Sequence, residues 1–454
     1  MLEDFRTNKQ REWRFESRIM KLGFFLFFLV LYLILEPGIF LLPQVEADDH
    51  DDEFVKVRGV QLMLNGRPYY ANGYNAYWLM YMASDPSQRN KVSSVLQTAA
   101  NHGLNIARTW AFSDGGYKPL QYSPGSYNED MFLGLDFVIS EARRYGTKLV
   151  LCLVNNYDNF GGKKQYVEWA KSEGQSIESE DGFFTNTVVK GFYKNHIKSV
   201  LTRRNNFTGV VYKDDPTIMA WELMNEIRCP SDESGNTVQA WITEMASYLK
   251  SIDGNHLLEA GLEGFYGVSK QDSNPNFHVG TDFIANNQIP GIDFATILIF
   301  HDNAELGKVM SRLPGSSNEE QILFLVRWLN DHIKDAESIQ KPVLFAEFGV
   351  ATKNMSTDST TVRDQFFNLV YSAIYSSASD SGPAIGGLFW QLLAEGMDSF
   401  RDGYEVPLDD TCSTANLIAQ ESQKLNRIRM KKSFRVKNSK QWNKAREVKD
   451  SDKS

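Results

Sequence analysis

The chain has 454 residues, 42% of them hydrophobic and 13% aromatic, which is enough for one large domain with a buried core or for two small ones. A formal net charge of −9 excludes a nucleic-acid-binding core, which needs excess Lys and Arg to neutralise phosphates. Three cysteines do not make a disulfide scaffold: Cys152 lies in an apolar run and reads as packing, while Cys229 and Cys412 lie in loop-like sequence and could pair.

Residues 1–47 read as a targeting segment. Arg6, Lys9, Arg11, Arg14, Arg18 and Lys21 precede an apolar run over residues 22–35, then Glu36-Pro37-Gly38 breaks any helix. The run is shorter than the roughly 20 residues that span a bilayer, which favours a secretory signal peptide over an uncleaved signal anchor. The expectation is an extracellular protein with no stable membrane partner unless the leader is retained. Asn206-Phe207-Thr208 and Asn354-Met355-Ser356 are then glycosylation sequons.

Residues 48–420 form the expected folded domain, after an acidic lead-in over 48–53. Short apolar runs cover residues 69–73, 105–110, 148–154, 217–224, 256–260, 294–300, 342–348 and 385–392, as parallel strands covered on both faces do. Helices are predicted between them, for example over 88–102, 127–145, 238–251 and 319–336. In the second of these Phe132, Leu135, Val138 and Ile139 repeat at helical spacing, and Gly146 stands where a left-handed cap is wanted. Eight strands alternating with helices fit a (β/α)8 TIM barrel or a doubly wound sheet. No Gly-x-Gly-x-x-Gly follows the first strand, so the barrel is preferred. Residues 421–454, rich in Lys and Arg and poor in apolar side chains, read as a solvated basic tail.

In a barrel of this kind chemistry comes from the C-terminal strand ends. Asn225-Glu226 closes the fourth run and Glu347 the seventh, placing two glutamates across the barrel mouth. Retaining hydrolysis of a glycosidic bond needs such a pair, about 5–5.5 Å apart, one as nucleophile and one as proton donor and acceptor. The seven histidines show no metal-ligand spacing, and neither metal nor organic cofactor is implied.

These residues carry a resemblance. Trp221-Glu222-Leu223-Met224-Asn225-Glu226 resembles the acid/base strand of the plant endo-β-mannanases of glycoside hydrolase family 5, and Phe345-Ala346-Glu347-Phe348-Gly349 resembles their nucleophile strand. Arg108-Thr109-Trp110-Ala111-Phe112 is similar to the second strand and Gly387-Leu388-Phe389-Trp390-Gln391 to the eighth. The resemblance implies Glu226 as acid/base and Glu347 as nucleophile, with Arg108 and Asn225 bonded beside them and Trp390 as a sugar platform. Trp78 is expected to line the cleft, and Trp110 either to line it or to belong to the barrel wall; Glu222 is expected to fill the barrel interior. The implied partner is a cell-wall β-mannan, glucomannan or galactomannan, cut internally by a monomeric secreted enzyme.

The sixth run departs from that pattern. Leu298 stands where the family has an active-site histidine and Phe300 where it has a tyrosine. His301 is three residues from Leu298, of opposite strand parity, and does not replace the lost imidazole. Losing a hydrogen bond to a charged group costs about 1.5–3 kcal/mol, or roughly 10- to 150-fold in rate if felt in the transition state. The expectation is weakened hydrolysis, with a catalytically impaired mannan-binding wall protein as the alternative.

Overall fold

The computed structural model describes residues 53–268, 270, 277–301, 318–351, 359–409 and 411–451. The leader and Asn354 lie outside the described residues. All eight apolar runs become parallel strands: β1 (Ala71–Asn75), β2 (Ile106–Trp110), β3 (Lys148–Cys152), β4 (Ile218–Glu222), β5 (Leu257–Glu259), β6 (Ala295–His301), β7 (Val343–Val350) and β8 (Ala384–Phe389). Their spatial order is β5-β4-β3-β2-β1-β8-β7-β6. The edge strands meet through Asp293 N–H to Leu258 O at 2.8 Å and Leu298 N–H to Glu263 O at 3.0 Å. These bonds draw the sheet into the (β/α)8 barrel.

A helix follows each strand around it: α1 (Arg89–Asn101), α2 (Glu129–Tyr145), α3 (Thr187–Leu201), α4 (Asn236–Ile252), α5 (Phe283–Asn287), α6 (Asn318–Ser338), α7 (Ser359–Ser379) and α8 (Ser413–Ser451), with further helices in the connections. In α2 the Asn128 side chain accepts from Asp130 N–H, Glu129 and Asp130 complement the positive helix end, and Gly146 stops the helix at φ 69°. Its Phe132, Leu135, Val138 and Ile139 are buried against the strands' outer faces. Burying each such side chain is worth about 1.5–3 kcal/mol.

Inside the barrel the strand ends distant from the site are plugged by apolar side chains. Ile106, Val150, Ala220, Leu257, Leu344 and Ile385 point inward there, and Val55, Leu62 and Tyr69 close the floor. The last two belong to an antiparallel sheet of Lys56–Arg58, Gln61–Leu64 and Arg67–Tyr69 that precedes β1. Two residues further along, the inward positions turn polar: Arg108 on β2, Glu222 on β4, Glu259 on β5 and Thr296 on β6. This change of layer creates the site.

One boundary and one cysteine pairing differ from the sequence reading. Residue 420 is no domain edge, because α8 runs through it and Glu421, Ser422, Leu425 and Ile428 are buried against the barrel. Lys432 still reaches Tyr70 Oη (2.9 Å) and Ala378 O (2.8 Å). Basic composition hid an apolar stripe at helical spacing. The pairing of Cys229 with Cys412 also fails: all three cysteines are buried and free, with Cys229 beside Ser231 and Cys412 beside Arg363. Among the described residues no helix is long and apolar enough to cross a membrane.

Glu421 makes the docking of α8 sensitive to pH. Its carboxyl is fully buried without a hydrogen bond, and Lys424 Nζ comes only within 3.5 Å. Burial pushes it up to about 7, partly offset by Lys424. A carboxyl raised in the folded state stabilises fully below its unfolded value near 4.5 and loses that contribution as pH rises to about 7. Glu421→Gln should therefore leave the melting temperature unchanged at pH 4 and raise it at pH 8, by up to about 3 kcal/mol of stability. Equal shifts at both pH values in thermal melts would contradict this.

Candidate active site

The site is organised by one buried guanidinium. Arg108, 3% exposed, gives two parallel bonds to Glu222 (Nε–Oε2 and Nη2–Oε1, both 2.6 Å) and one to Glu347 Oε1 (2.6 Å). It also donates to Asn75 Oδ1 (3.0 Å) and Asn225 Oδ1 (2.7 Å), so one side chain ties together strands β1, β2, β4 and β7. Trp110 lies over it at 4.9 Å from ring centroid to guanidinium carbon, a cation–π contact that also shields the ion pairs. Trp110 is thus an inner-wall residue at the site's edge, 5% exposed.

Glu222 sits in the barrel interior, as read from the sequence, and its role is to fix Arg108. Below it, Glu259 is pushed well above the usual carboxylate range by burial and by the neighbouring Glu222 charge. Burial thus favours the neutral form of Glu259, while Arg108 pairs with Glu222 and Glu347. The guanidinium bonded to Glu347 favours the ionised carboxylate that a nucleophile must be.

Glu226 stands on a different support. Its backbone has φ +52°, a left-handed conformation that is costly for a residue with a side chain. Beneath this turn Gly261, at φ +86°, lets the chain after β5 pass so close that a Cβ would lie 1.6 Å from Met224 O. Tyr157 Oη donates to Glu226 Oε2 at 3.2 Å. Asn225 Nδ2 donates to Asn155 Oδ1 (2.9 Å), and the same Asn155 oxygen accepts from Tyr157 N–H (3.3 Å). The two glutamates are therefore the ends of a continuous hydrogen-bonded path: Glu347, Arg108, Asn225, Asn155, Tyr157, Glu226.

Trp390 is half-exposed at the end of β8. Its indole N–H binds Asp402 Oδ2 at 2.7 Å, and its ring lies parallel to Tyr77, with centroids 5.7 Å apart and planes inclined by 12°. Trp78 does not line the cleft. It is fully buried among the helices, and its N–H goes to Leu392 O at 2.9 Å. The chain turns just after β1, so of two adjacent aromatics Tyr77 faces the mouth and Trp78 faces away.

Leu298 and Phe300 point inward beside Glu347. Leu298 is the register partner of Glu347 and Phe300 that of Gly349. With Ala346 and Tyr404 they form an apolar strip against Trp390, and Phe300 meets the Tyr404 ring edge-on at 5.3 Å. The sequence reading missed Asn75, Tyr77, Asn155 and Tyr157. Asn75 and Asn155 had a usable signal, a polar residue at the C-terminal end of an apolar strand run.

A barrel with paired carboxylates at its mouth and an aromatic shelf beside them defines the class: a glycoside hydrolase. Residues 52–397 match the model of the β-mannosidase-like group of glycoside hydrolase family 5, and the chain belongs to that family. It is 59% identical to mannan endo-1,4-beta-mannosidase 7 of Arabidopsis thaliana, over 87% of this chain and 90% of that protein. It is 56% identical to mannan endo-1,4-beta-mannosidase 1 of Oryza sativa subsp. japonica, over 87% and 91%. Among solved structures, the endo-beta-1,4-mannanase from Thermotoga petrophila superposes with a TM-score of 0.69 at 31% identity, covering 80% of this chain and 78% of that one.

Arg108→Lys keeps the charge but replaces a planar fork making five bonds with an ammonium that has three donors. Glu222 or Glu347 is then left buried with a broken pair. The expected loss of stability is about 3–5 kcal/mol in urea unfolding, and a loss under 1 kcal/mol would show that the polar layer is not held by Arg108.

Proposed function

We infer that the protein hydrolyses internal β-1,4-mannosidic linkages of mannan, glucomannan or galactomannan by double displacement. Glu347 attacks the anomeric carbon while Glu226 protonates the leaving oxygen. Glu226 then takes a proton from water as the glycosyl-enzyme is hydrolysed. The observation that carries this reading is the division of the two glutamates between environments. Glu347 is bound directly to the buried Arg108 guanidinium, whereas Glu226 receives the Tyr157 phenol. The high identity to plant enzymes named for this reaction, across about nine-tenths of their lengths, supports the substrate class.

Arg108 and Asn75 orient Glu347, Asn225 presents its remaining amide hydrogen to the sugar, and Trp390 supplies a flat apolar face for the ring. The strip of Leu298 and Phe300 offers no hydrogen bond to the nucleophile or the sugar, so turnover is slower than the same scaffold allows. The apolar leader run, with the exposed Asn206 sequon in the loop after α3, supports secretion to the cell wall and glycosylation there.

Two variants test the reading by release of reducing ends from mannohexaose. Glu347→Ala should abolish release; surviving turnover would remove Glu347 as nucleophile. Leu298→His combined with Phe300→Tyr should raise kcat/KM by about 10²- to 10⁴-fold. No release from the native chain with activity in the double variant would instead favour a wall-binding protein with disabled chemistry.

A further inference from the structure

The loop after β3 carries a residue that the mechanism above leaves without a task. Tyr157 is the side chain bonded to Glu226 Oε2, and the loop around it is tightly fixed. Asn155 holds its backbone N–H, and Asn155 Nδ2 crosses to Asn159 O at 3.1 Å. Gly161 and Gly162 follow at φ +92° and +57°. A Cβ on Gly162 would lie 2.1 Å from Tyr157 O, and one on Gly161 would lie 1.9 Å from Asp114 O. The loop can close in this way only with glycine at both positions, and its closure puts the phenol beside the acid/base.

We propose that Tyr157 is a positioning residue for Glu226: its phenol donates to the carboxyl and stabilises the charge left there when the transferable proton departs. The proposal rests on Glu226 being the acid/base. As the glycosidic bond breaks, its electron pair stays on the leaving oxygen, which takes the Glu226 proton, while Glu347 forms the new bond to the anomeric carbon. Glu226 becomes a carboxylate in the same step. The Tyr157 bond therefore changes from a neutral to a charge-assisted one and is stronger in the transition state than in the ground state.

Burial and the neighbouring Glu226 charge push the Tyr157 phenol far above its usual range, so it remains a donor throughout the cycle. Arg228, paired on both nitrogens with Glu263, also lies near this phenol and contributes to its field.

The test is leaving-group dependence in Tyr157→Phe, which keeps the ring and removes only the hydroxyl. kcat/KM should fall about 10-fold for mannohexaose, whose leaving oxygen needs a proton. It should stay within about 2-fold for 2,4-dinitrophenyl β-mannobioside, whose leaving group departs without one. A purely structural role would lower both alike, and equal losses, or none with mannohexaose, overturn the proposal. Thermal melting of the variant identifies a folding defect, and Glu226→Ala with Tyr157→Phe supplies an independent check. In the Glu226→Ala background removing the phenol should have no further effect on mannohexaose, and a persisting 10-fold loss would also overturn the proposal. If Glu226→Ala itself shows no leaving-group dependence, the acid/base assignment fails; if it does while Tyr157→Phe does not, only the role of Tyr157 fails.

Discussion

One buried cation governs the interior of this barrel. A guanidinium removed from water is stable only if every donor finds an oxygen, and Arg108 meets that demand with Glu222, Glu347, Asn75 and Asn225. Those acceptors come from three strands besides its own. Sliding any of them by one residue would turn its polar group into the apolar layer and leave the arginine short of a partner. The same bonds that satisfy the cation thus fix strand register and set the height at which Glu347 stands. Catalytic geometry and fold specificity are carried by the same contacts.

The barrel was legible because strands covered on both faces read as continuous apolar runs, and all eight runs became strands. The two glutamates were legible because a charged residue ending such a run has few other places to go. Side-chain direction beyond a strand end was not. Tyr77 and Trp78 are equally aromatic neighbours, and only the turn after Asn75 decides which of them reaches the mouth. Tyr157 was hidden for a related reason, since its approach to Glu226 depends on a loop conformation set by Gly161 and Gly162. The basic C-terminal segment misled through composition: Lys424, Arg427, Arg429 and Lys431 lie exposed on a helix whose other side bears Leu425 and Ile428.

Polar support in the site is uneven. The Glu226 side is built from amides, a phenol and a guanidinium linked in sequence, while Leu298 and Phe300 contribute hydrocarbon from β6. Leu298 lies level with Glu347, and Phe300 packs against the Tyr404 ring. Glu347 thus has the Arg108 guanidinium and an apolar strand neighbour beside it. Deeper in the barrel, burial and the neighbouring Glu222 charge push the Glu259 carboxyl upward.

The contacts of α8 reach beyond its own docking. Strand β1 pairs with β8, joining the first and last modules of the barrel. Next to that seam Asn72 binds Ile418 O (3.0 Å), Ser422 Oγ (2.8 Å) and the Tyr371 hydroxyl (3.3 Å), while Lys432 reaches back to Tyr70. The fastening for the ring's closure is thus encoded near the end of the chain. On the ribosome, β1 emerges before the other barrel strands and waits through the synthesis of all seven and the first half of α8 before its clasp exists. Until then the nascent protein displays an open sheet edge of the kind that invites pairing with other chains.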